Sequence, residues 1–353
     1  MPDRTPRVVA LEIPEAWFRD PGNGGQHQMF YASLLSALAE LGVLVRPLWM
    51  PRGADRAPRS AGDSDLLISF HSYGAAEGDV LRCKESYLPP YYTMDPQGYA
   101  CFSQLARDPG VHAKAVEAQD PHEARAFVQN LSEELRRTNL SKYPQSAEPV
   151  QIRPGYLFVP LQVVQDSVAR GAWLGVEEAL KVIVAAAADR GLRTVVKRHP
   201  RCSSARIARL LRSLPQDGTV ELSQASVQAL VAGAELVVGA NSGVLFEALL
   251  QGKPVISYAE AEFGQITHQV RTADALAQAI RVPRVPDAGA RDKFLHWYLT
   301  RYCVRADDVP AIRRRIRAAL DAGLEAGAGR AAALPSWKLY AYSLFDRTKR
   351  RLF

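Results

Sequence analysis

The stretch LVVGANSGVLFEALLQGKPVISY, residues 236 to 258, gives the clearest indication of the fold class. It begins with an apolar run at 236 to 239 that is typical of a buried strand, and a second such run follows at 254 to 258. Between them, residues 242 to 250 have the composition of a buried helix, with a serine at the position that caps a helix start. The stretch therefore predicts a strand, a helix and a second strand of one parallel sheet.

The same alternation continues toward the amino terminus through the second half of the chain. Further strands are predicted at 156 to 161, 192 to 197 and 219 to 222, and helices at 175 to 190, 203 to 213 and 224 to 232. Five strands with four intervening helices predict a doubly wound, Rossmann-like domain.

The first half of the chain has a looser version of this pattern. Strands are predicted at 7 to 13, 43 to 48 and 66 to 70, and helices at 27 to 41 and 111 to 139. The aromatic, proline-rich segment 84 to 103 predicts a structured loop, 141 to 155 a linker, and 289 to 323 further helix. We expect domains at 1–150 and 151–288, followed by carboxy-terminal helices and a basic tail over 289–353.

Composition limits the class of protein. Apolar residues make up 47% and charged residues 23% of the chain, which is the balance of a globular domain. The four cysteines form no CxxC pair, so neither a zinc knuckle nor a disulfide framework is indicated. We find no apolar run of membrane-spanning length and no secretory signal, so we expect a cytoplasmic protein. The net charge of +7 favours an anionic partner, but no nucleic-acid motif accompanies it, and we expect no nucleic-acid partner.

Polar residues follow three of the predicted strands in the second half. The residues directly after these strands are Gln162, Asp166 and Ser167, then His199, Pro200 and Arg201, then Asn241 and Ser242. Because parallel strands deliver their following loops to one edge of the sheet, we expect these side chains to share one crevice.

The helix that begins at Ser242 offers a phosphate site through its hydroxyl and its free backbone N–H groups. The alternative is that Asn241 and Ser242 only cap the helix. Glu247 lies in an otherwise apolar part of the same helix, where a carboxylate must have a partner or face water. Ribose hydroxyls would serve as that partner, and a solvated helix face is the alternative.

His199 precedes a proline, which favours extended geometry at the end of its strand. Lys197 and Arg201 beside it favour anion binding, whereas the alternative is a histidine that makes only structural hydrogen bonds. Asp166 has the chemistry of a nucleophile in a retaining transfer, and a turn or cap residue is its alternative reading.

Three motifs carry a family resemblance: YLFVPLQVVQDS over residues 156–167, KRHP over 197–200, and GANSGVLFEALLQGKPV over 239–255. Together they resemble the capsule polysaccharide biosynthesis family of retaining transferases for β-Kdo, 3-deoxy-manno-octulosonic acid. The resemblance implies a GT-B-like α/β fold of two Rossmann-like domains with a cleft between them. It also implies a CMP-Kdo donor and no metal or other cofactor. Glu235 stands where the family usually has aspartate.

The resemblance assigns roles to the residues of these motifs. Asp166 is implied as the nucleophile that forms a glycosyl-enzyme intermediate, and His199 as the group that contacts the donor phosphate and stabilises or protonates departing CMP. Further implied donor contacts are Gln162, Ser167, Lys197, Pro200, Arg201, Asn241, Ser242 and, at the ribose, Glu247.

The first half would then hold a polysaccharide or lipid-linked saccharide acceptor. Candidate contacts are Glu12, His27, His71, Tyr87 and Asp95, with His27 or His71 as a base for the acceptor hydroxyl and aromatic loop packing as the alternative for Tyr87.

The basic, aromatic tail 338–353 suits peripheral attachment to the cytoplasmic face of the inner membrane, or else forms a solvated or partner-binding helix. A GT-B transferase for CMP-sialic acid or a UDP-sugar, or a non-catalytic binding protein, would explain parts of the same pattern.

Overall fold

The computed structural model describes residues 7–19, 21–51, 60–76, 78–147 and 152–325. The strands are β1 Val8–Pro14, β2 Leu44–Met50, β3 Leu66–Phe70, β4 Val80–Glu85, β5 Tyr91–Asp95, β6 Tyr156–Pro160, β7 Arg193–Lys197, β8 Val220–Leu222, β9 Ala234–Gly239, β10 Val255–Ser257, β11 His268–Gln269 and β12 Cys303–Arg305. The α-helices are α1 Glu15–Arg19, α2 Pro21–Leu41, α3 Gln104–Arg107, α4 Ala113–Glu117, α5 Pro121–Thr138, α6 Val176–Asp189, α7 Ala205–Arg212, α8 Val227–Gly233, α9 Gly243–Leu250, α10 Ala273–Arg281, α11 Ala288–Trp297 and α12 Val309–Glu325.

The strands form two six-stranded sheets, in the orders β12-β5-β4-β3-β1-β2 and β11-β10-β9-β6-β7-β8. In the first sheet, β1 pairs in parallel with β2 and β3, and β3 pairs in parallel with β4. The α/β fold class with two parallel-sheet domains is therefore confirmed.

The second sheet has the strand order of a doubly wound nucleotide-binding domain. Its strand pairs from β8 through β7, β6, β9 and β10 to β11 are all parallel. In chain order this is the arrangement 3-2-1-4-5-6, in which the winding reverses between β6 and β9. All five residues of β6 are buried, because helices cover both faces of such a sheet. The reversal creates a crevice at the carboxyl ends of β6 and β9.

Four strands were not predicted from the sequence. The strand β4 lies between the third predicted strand and the segment expected to be a loop, and its end enters that segment, which also contains β5. The segment expected to be helical contains β12. All five residues of β5 are buried, so they lack the alternation of polar and apolar residues by which a half-exposed strand is recognised. The strand β11 has only two residues and shows no periodicity.

The described chain forms two compact units, one within Met1–Cys83, Met94–Gln97 and Arg305–Phe353, the other Lys84–Thr93 and Gly98–Val304. This division differs from the predicted limits at residues 150 and 288. Residues 98–147 belong with the second unit because side chains such as Ser141 and Gln145 hydrogen-bond to it, so the described part of the predicted linker is packed structure.

The predicted basic tail lies outside the described residues, and no described helix is long and apolar enough to cross a membrane.

Candidate functional site

Asn241 joins the loops at the point where the second sheet reverses its winding. Its backbone N–H donates to Gln162 Oε1 (3.4 Å), which links the loops that follow β9 and β6. Its Nδ2 donates to the carbonyl oxygens of Val168 and Glu260, each at 3.0 Å. The Asn241 side chain is 3% exposed. Asn241 therefore holds together the loops that follow β6, β9 and β10 at this crevice.

Asp166 lies exposed at the rim of this crevice. It caps the 3-10 turn Ser167–Gly171, and its Oδ1 accepts hydrogen bonds from Ser167 Oγ (3.2 Å) and from the backbone N–H of Val168 (3.4 Å). Its Oδ2 makes no hydrogen bond within the described part of the chain. Asp166 therefore caps the turn with Oδ1 and leaves Oδ2 available for another contact.

The turn that begins at Asp166 ends in a crowded position at Gly171. A Cβ on this glycine would lie 2.6 Å from Cys101 Cβ and 2.8 Å from Cys101 Sγ. It would also lie 3.2 Å from Asn241 Nδ2. The buried Cys101 and Asn241 therefore leave room for glycine alone.

His199 follows β7 and lies on the same edge as Asp166. Its Nδ1 accepts a hydrogen bond from the backbone N–H of Arg201 (3.1 Å), so the neutral ring carries its proton on Nε2. Burial lowers the pKa of His199, Arg201 and Lys142 lower it further, and the Asp166 carboxylate acts in the opposite direction. Asp166 is therefore close enough to influence the charge of the imidazole, and the two predicted catalytic side chains share one electrostatic environment.

Tyr143 and Lys142 are residues of this edge that the sequence did not indicate. The Tyr143 ring meets the His199 ring edge to face, with centroids 4.9 Å apart, and Arg201 Cζ lies 5.0 Å from the Tyr143 centroid. Both residues fall in the predicted linker. The sequence SKY at the start of that linker has no periodic pattern that would indicate them.

Glu247 is buried, with 1% of its surface exposed. Its Oε1 accepts from Ser141 Oγ (2.7 Å) and its Oε2 from Gln228 Nε2 (2.5 Å). Burial raises the pKa of Glu247 to about 8, although both hydrogen bonds and Lys142 act to lower it. The solvated helix face considered from sequence is therefore wrong. The ribose role stays a prediction, and in this structure Ser141 and Gln228 each engage one of the two carboxylate oxygens.

Other predicted donor contacts are partly engaged in the local structure. Lys197 Nζ donates to the carbonyl oxygens of Gln224 and Ala225, and burial lowers the pKa of Lys197. Ser242 caps α9 through a 3.3 Å hydrogen bond from the Val244 N–H. Ser167 Oγ lies 2.9 Å from Tyr99 Oη, and Pro200 is exposed.

The predicted acceptor residues fall in both compact units. In the second unit, Tyr87 is 7% exposed and packs against Phe246 and Phe263, with ring centroids 5.3 and 5.0 Å away. This is the aromatic packing that the sequence left open as an alternative. In the first unit, Glu12 is fully buried and Asp95 is 1% exposed, whereas His27 and His71 are half-buried. Their acceptor roles stay predictions.

The loops at this edge of the second sheet lie in the part of the chain that matches a known protein family. A family model described as capsule polysaccharide biosynthesis protein matches residues 111–302, which is just over half of the chain. This chain belongs to the capsule polysaccharide biosynthesis protein family. The matched range contains the Asp166, His199 and Asn241 loops of this capsule polysaccharide biosynthesis protein.

Two solved structures share the fold of this capsule polysaccharide biosynthesis protein. KpsC of Thermosulfurimonas dismutans, described as beta Kdo 2,4 transferase, is 15% identical with a TM-score of 0.52 and covers 88% of this chain and 98% of its own. A second KpsC structure from that organism, described as beta Kdo 2,7 transferase, is 17% identical with a TM-score of 0.51 and covers 88% and 99%. No curated protein matches by sequence. The predicted GT-B-like fold class is therefore confirmed.

Proposed function

We propose that this protein is a retaining glycosyltransferase that moves β-Kdo from CMP-Kdo to a saccharide acceptor. The observation that carries the proposal is the placement of Asp166 and His199 on one edge of the second sheet, where Asp166 influences the pKa of His199. That edge is where nucleotides bind in doubly wound sheets. Family membership and the KpsC fold support the same class of reaction.

The first step is attack by Asp166 on the anomeric carbon of the donor sugar. A bond forms between a carboxylate oxygen and that carbon, and the bond from the carbon to the phosphate oxygen breaks, with its electron pair leaving on CMP. His199 would contact the leaving phosphate, where its Nε2–H stabilises the developing charge or, in the protonated ring, donates a proton to it. The exposed Oδ2 of Asp166 makes no hydrogen bond within the described residues, so it is the oxygen available for the attack.

The second step is displacement of the carboxylate by an acceptor hydroxyl. The new glycosidic bond forms as the ester bond to Asp166 breaks, and the hydroxyl proton passes to a base. Two inversions restore the configuration of the donor. The start of α9 at Ser242, together with Arg201, would offset the negative charge of the donor phosphate near Asp166.

Intact-mass analysis after incubation with CMP-Kdo tests the nucleophile. We expect a Kdo adduct on the native protein that is absent from Asp166→Ala, because the alanine has no oxygen to form the ester. An adduct of equal abundance on Asp166→Ala would exclude Asp166 as the attacking residue.

Calorimetric titration with CMP and with UDP tests the donor class separately. We expect CMP to bind and UDP to bind at least about tenfold more weakly, since a pocket that hydrogen-bonds one base edge leaves groups unpaired with another. Binding of UDP without CMP would overturn the Kdo donor and favour a transferase for a UDP-sugar.

A further inference from the structure

The segment from Ser141 to Gln145 is fastened to the second unit by side chains on both sides of Tyr143. On one side, Ser141 Oγ donates to Glu247, and Lys142 Nζ forms a 3.0 Å ion pair with Glu85 and donates to the Ser86 carbonyl oxygen at 2.9 Å. On the other side, Gln145 Oε1 accepts from the Val227 N–H at 2.8 Å. The backbone of the segment is therefore held in place without a contribution from the Tyr143 hydroxyl.

Tyr143 places its ring against two predicted donor contacts at once. The edge-to-face geometry with His199, at an interplanar angle of 81°, and the 5.0 Å approach of the Arg201 guanidinium to the ring are both favourable arrangements. The Tyr143 hydroxyl makes no hydrogen bond within the described part of the chain. The ring, and not the hydroxyl, is therefore the part of Tyr143 that acts on its neighbours.

We propose that Tyr143 is a positioning residue that holds His199 and Arg201 in the orientation in which they receive the donor phosphate. The segment that carries it belongs to the donor site, and the buried Glu247 carboxylate is one of its anchors. This inference rests on the proposed function in one respect, since it takes His199 and Arg201 as contacts of a nucleotide phosphate.

The groups that face His199 come from three loops. Arg201 lies on its own loop, Asp166 on the loop after β6, and Lys142 on the segment beside Tyr143. The pKa of His199 is lowered first by burial and then by Arg201 and Lys142, and Asp166 raises it. Removal of the ring exposes the imidazole to water and weakens the largest of these effects, so the pKa of His199 rises toward its ordinary value.

The test is an NMR titration of the His199 imidazole in the ligand-free protein, with its signal assigned by its loss in His199→Asn. We expect Tyr143→Ala to raise the pKa of His199 by about half a unit or more, and Tyr143→Phe to restore the wild-type value. Phe127→Ala is the matched control, because Phe127 packs edge to face on His296 at 5.2 Å elsewhere in the second unit. It should leave the titration of His199 unchanged.

The second readout is the affinity for CMP by calorimetry. We expect Tyr143→Ala to weaken CMP binding about tenfold, as loss of one aromatic contact and one cation–π contact implies, and Tyr143→Phe to restore it. Tyr143→Leu serves if the alanine variant does not fold, because leucine keeps apolar contact without an aromatic ring. The inference would be overturned by an unchanged His199 titration and CMP affinity in a folded Tyr143→Ala variant, or by an unchanged CMP affinity in Tyr143→Leu, whose apolar side chain still covers the imidazole.

The titration separates this inference from the donor assignment. If wild-type protein does not bind CMP but Tyr143→Ala shifts the pKa of His199, the positioning role holds and the cytidine donor is wrong. If wild-type protein binds CMP and neither readout responds to loss of the ring, the donor assignment holds and Tyr143 has no positioning role.

Discussion

Carboxylates near the carboxyl edges of the two sheets are used in opposite ways. In the second sheet, Asp166 is exposed and keeps one oxygen without a hydrogen bond in the described residues. In the first sheet, Glu12 has no exposed surface, and its Oε2 accepts from Ser69 Oγ and the Phe70 N–H, both at 2.9 Å. Asp95 is also buried and accepts from the Gln97 N–H at 2.7 Å. The same residue class is thus left exposed at the edge of one sheet and is buried in local hydrogen bonds at the edge of the other.

Replacement of Asp166 tests this comparison with the largest expected effect. Asp166→Ala should lower turnover at least about 1,000-fold, because alanine has no oxygen to attack the anomeric carbon, and the thermal midpoint should change by less than about 2 °C since the side chain is exposed. CMP release and thermal unfolding measure the two effects. Asp217→Ala is the control, because Asp217 is an exposed aspartate that caps a turn through Thr219. Full turnover in Asp166→Ala would remove the distinction between the two edges.

Replacement of Glu12 tests the other side of the comparison. Glu12→Ala leaves Ser69 Oγ and the Phe70 N–H without this acceptor, so the free energy of unfolding should fall by about 2 kcal/mol. Urea denaturation measures the loss. A variant that keeps its stability but loses turnover would instead place Glu12 in the acceptor chemistry predicted from sequence.

The third expected effect is a pH dependence of stability at Glu247. The folded-state pKa of about 8 lies above the ordinary value of 4.5, so the folded protein binds more protons between these values. The contribution is present below the lower value and is lost as the pH rises through the higher one. Glu247→Gln should therefore gain stability relative to wild type, on the order of 1–3 kcal/mol, between pH 5 and pH 8.

Urea denaturation at several pH values measures this gain. Glu178→Gln, at an exposed glutamate of α6, should follow the wild-type pH profile. If Glu247→Gln also follows that profile, the Glu247 carboxylate is ionised at little cost, and it is available to ribose hydroxyls as the sequence resemblance implied.

The second sheet could be predicted from the sequence because its central strands are continuous apolar runs, which alternate with helices of recognisable apolar spacing. The strands β6, β7 and β9 and the helix α9 all lie where the apolar pattern predicts them, within two residues. Since parallel strands present their following loops at one edge, the grouping of Asp166, His199 and Asn241 followed from strand order alone.

The remaining features depend on contacts that sequence does not encode locally. The strand β5 is buried throughout and short, and its neighbourhood of prolines and tyrosines is typical of a loop. Tyr143 and Ser141 lie in a segment without periodicity, and only the fold brings them to His199 and Glu247. The burial of Glu247 likewise depends on Ser141 and Gln228, which are distant from it in the sequence.

The close packing around Gly171 limits which positions of the Asp166 loop can be mutated to alter substrate specificity. Any side chain there would collide with Cys101 and the Asn241 amide, so the loop that carries Asp166 has a fixed end. A mutant library that varies residues 168 to 170 would leave this end unchanged, whereas any side chain at residue 171 would force Cys101 or Asn241 to shift. Exchange of Cys101 for glycine removes both the Cβ and the Sγ that lie closest to position 171, whereas alanine or serine keeps the Cβ.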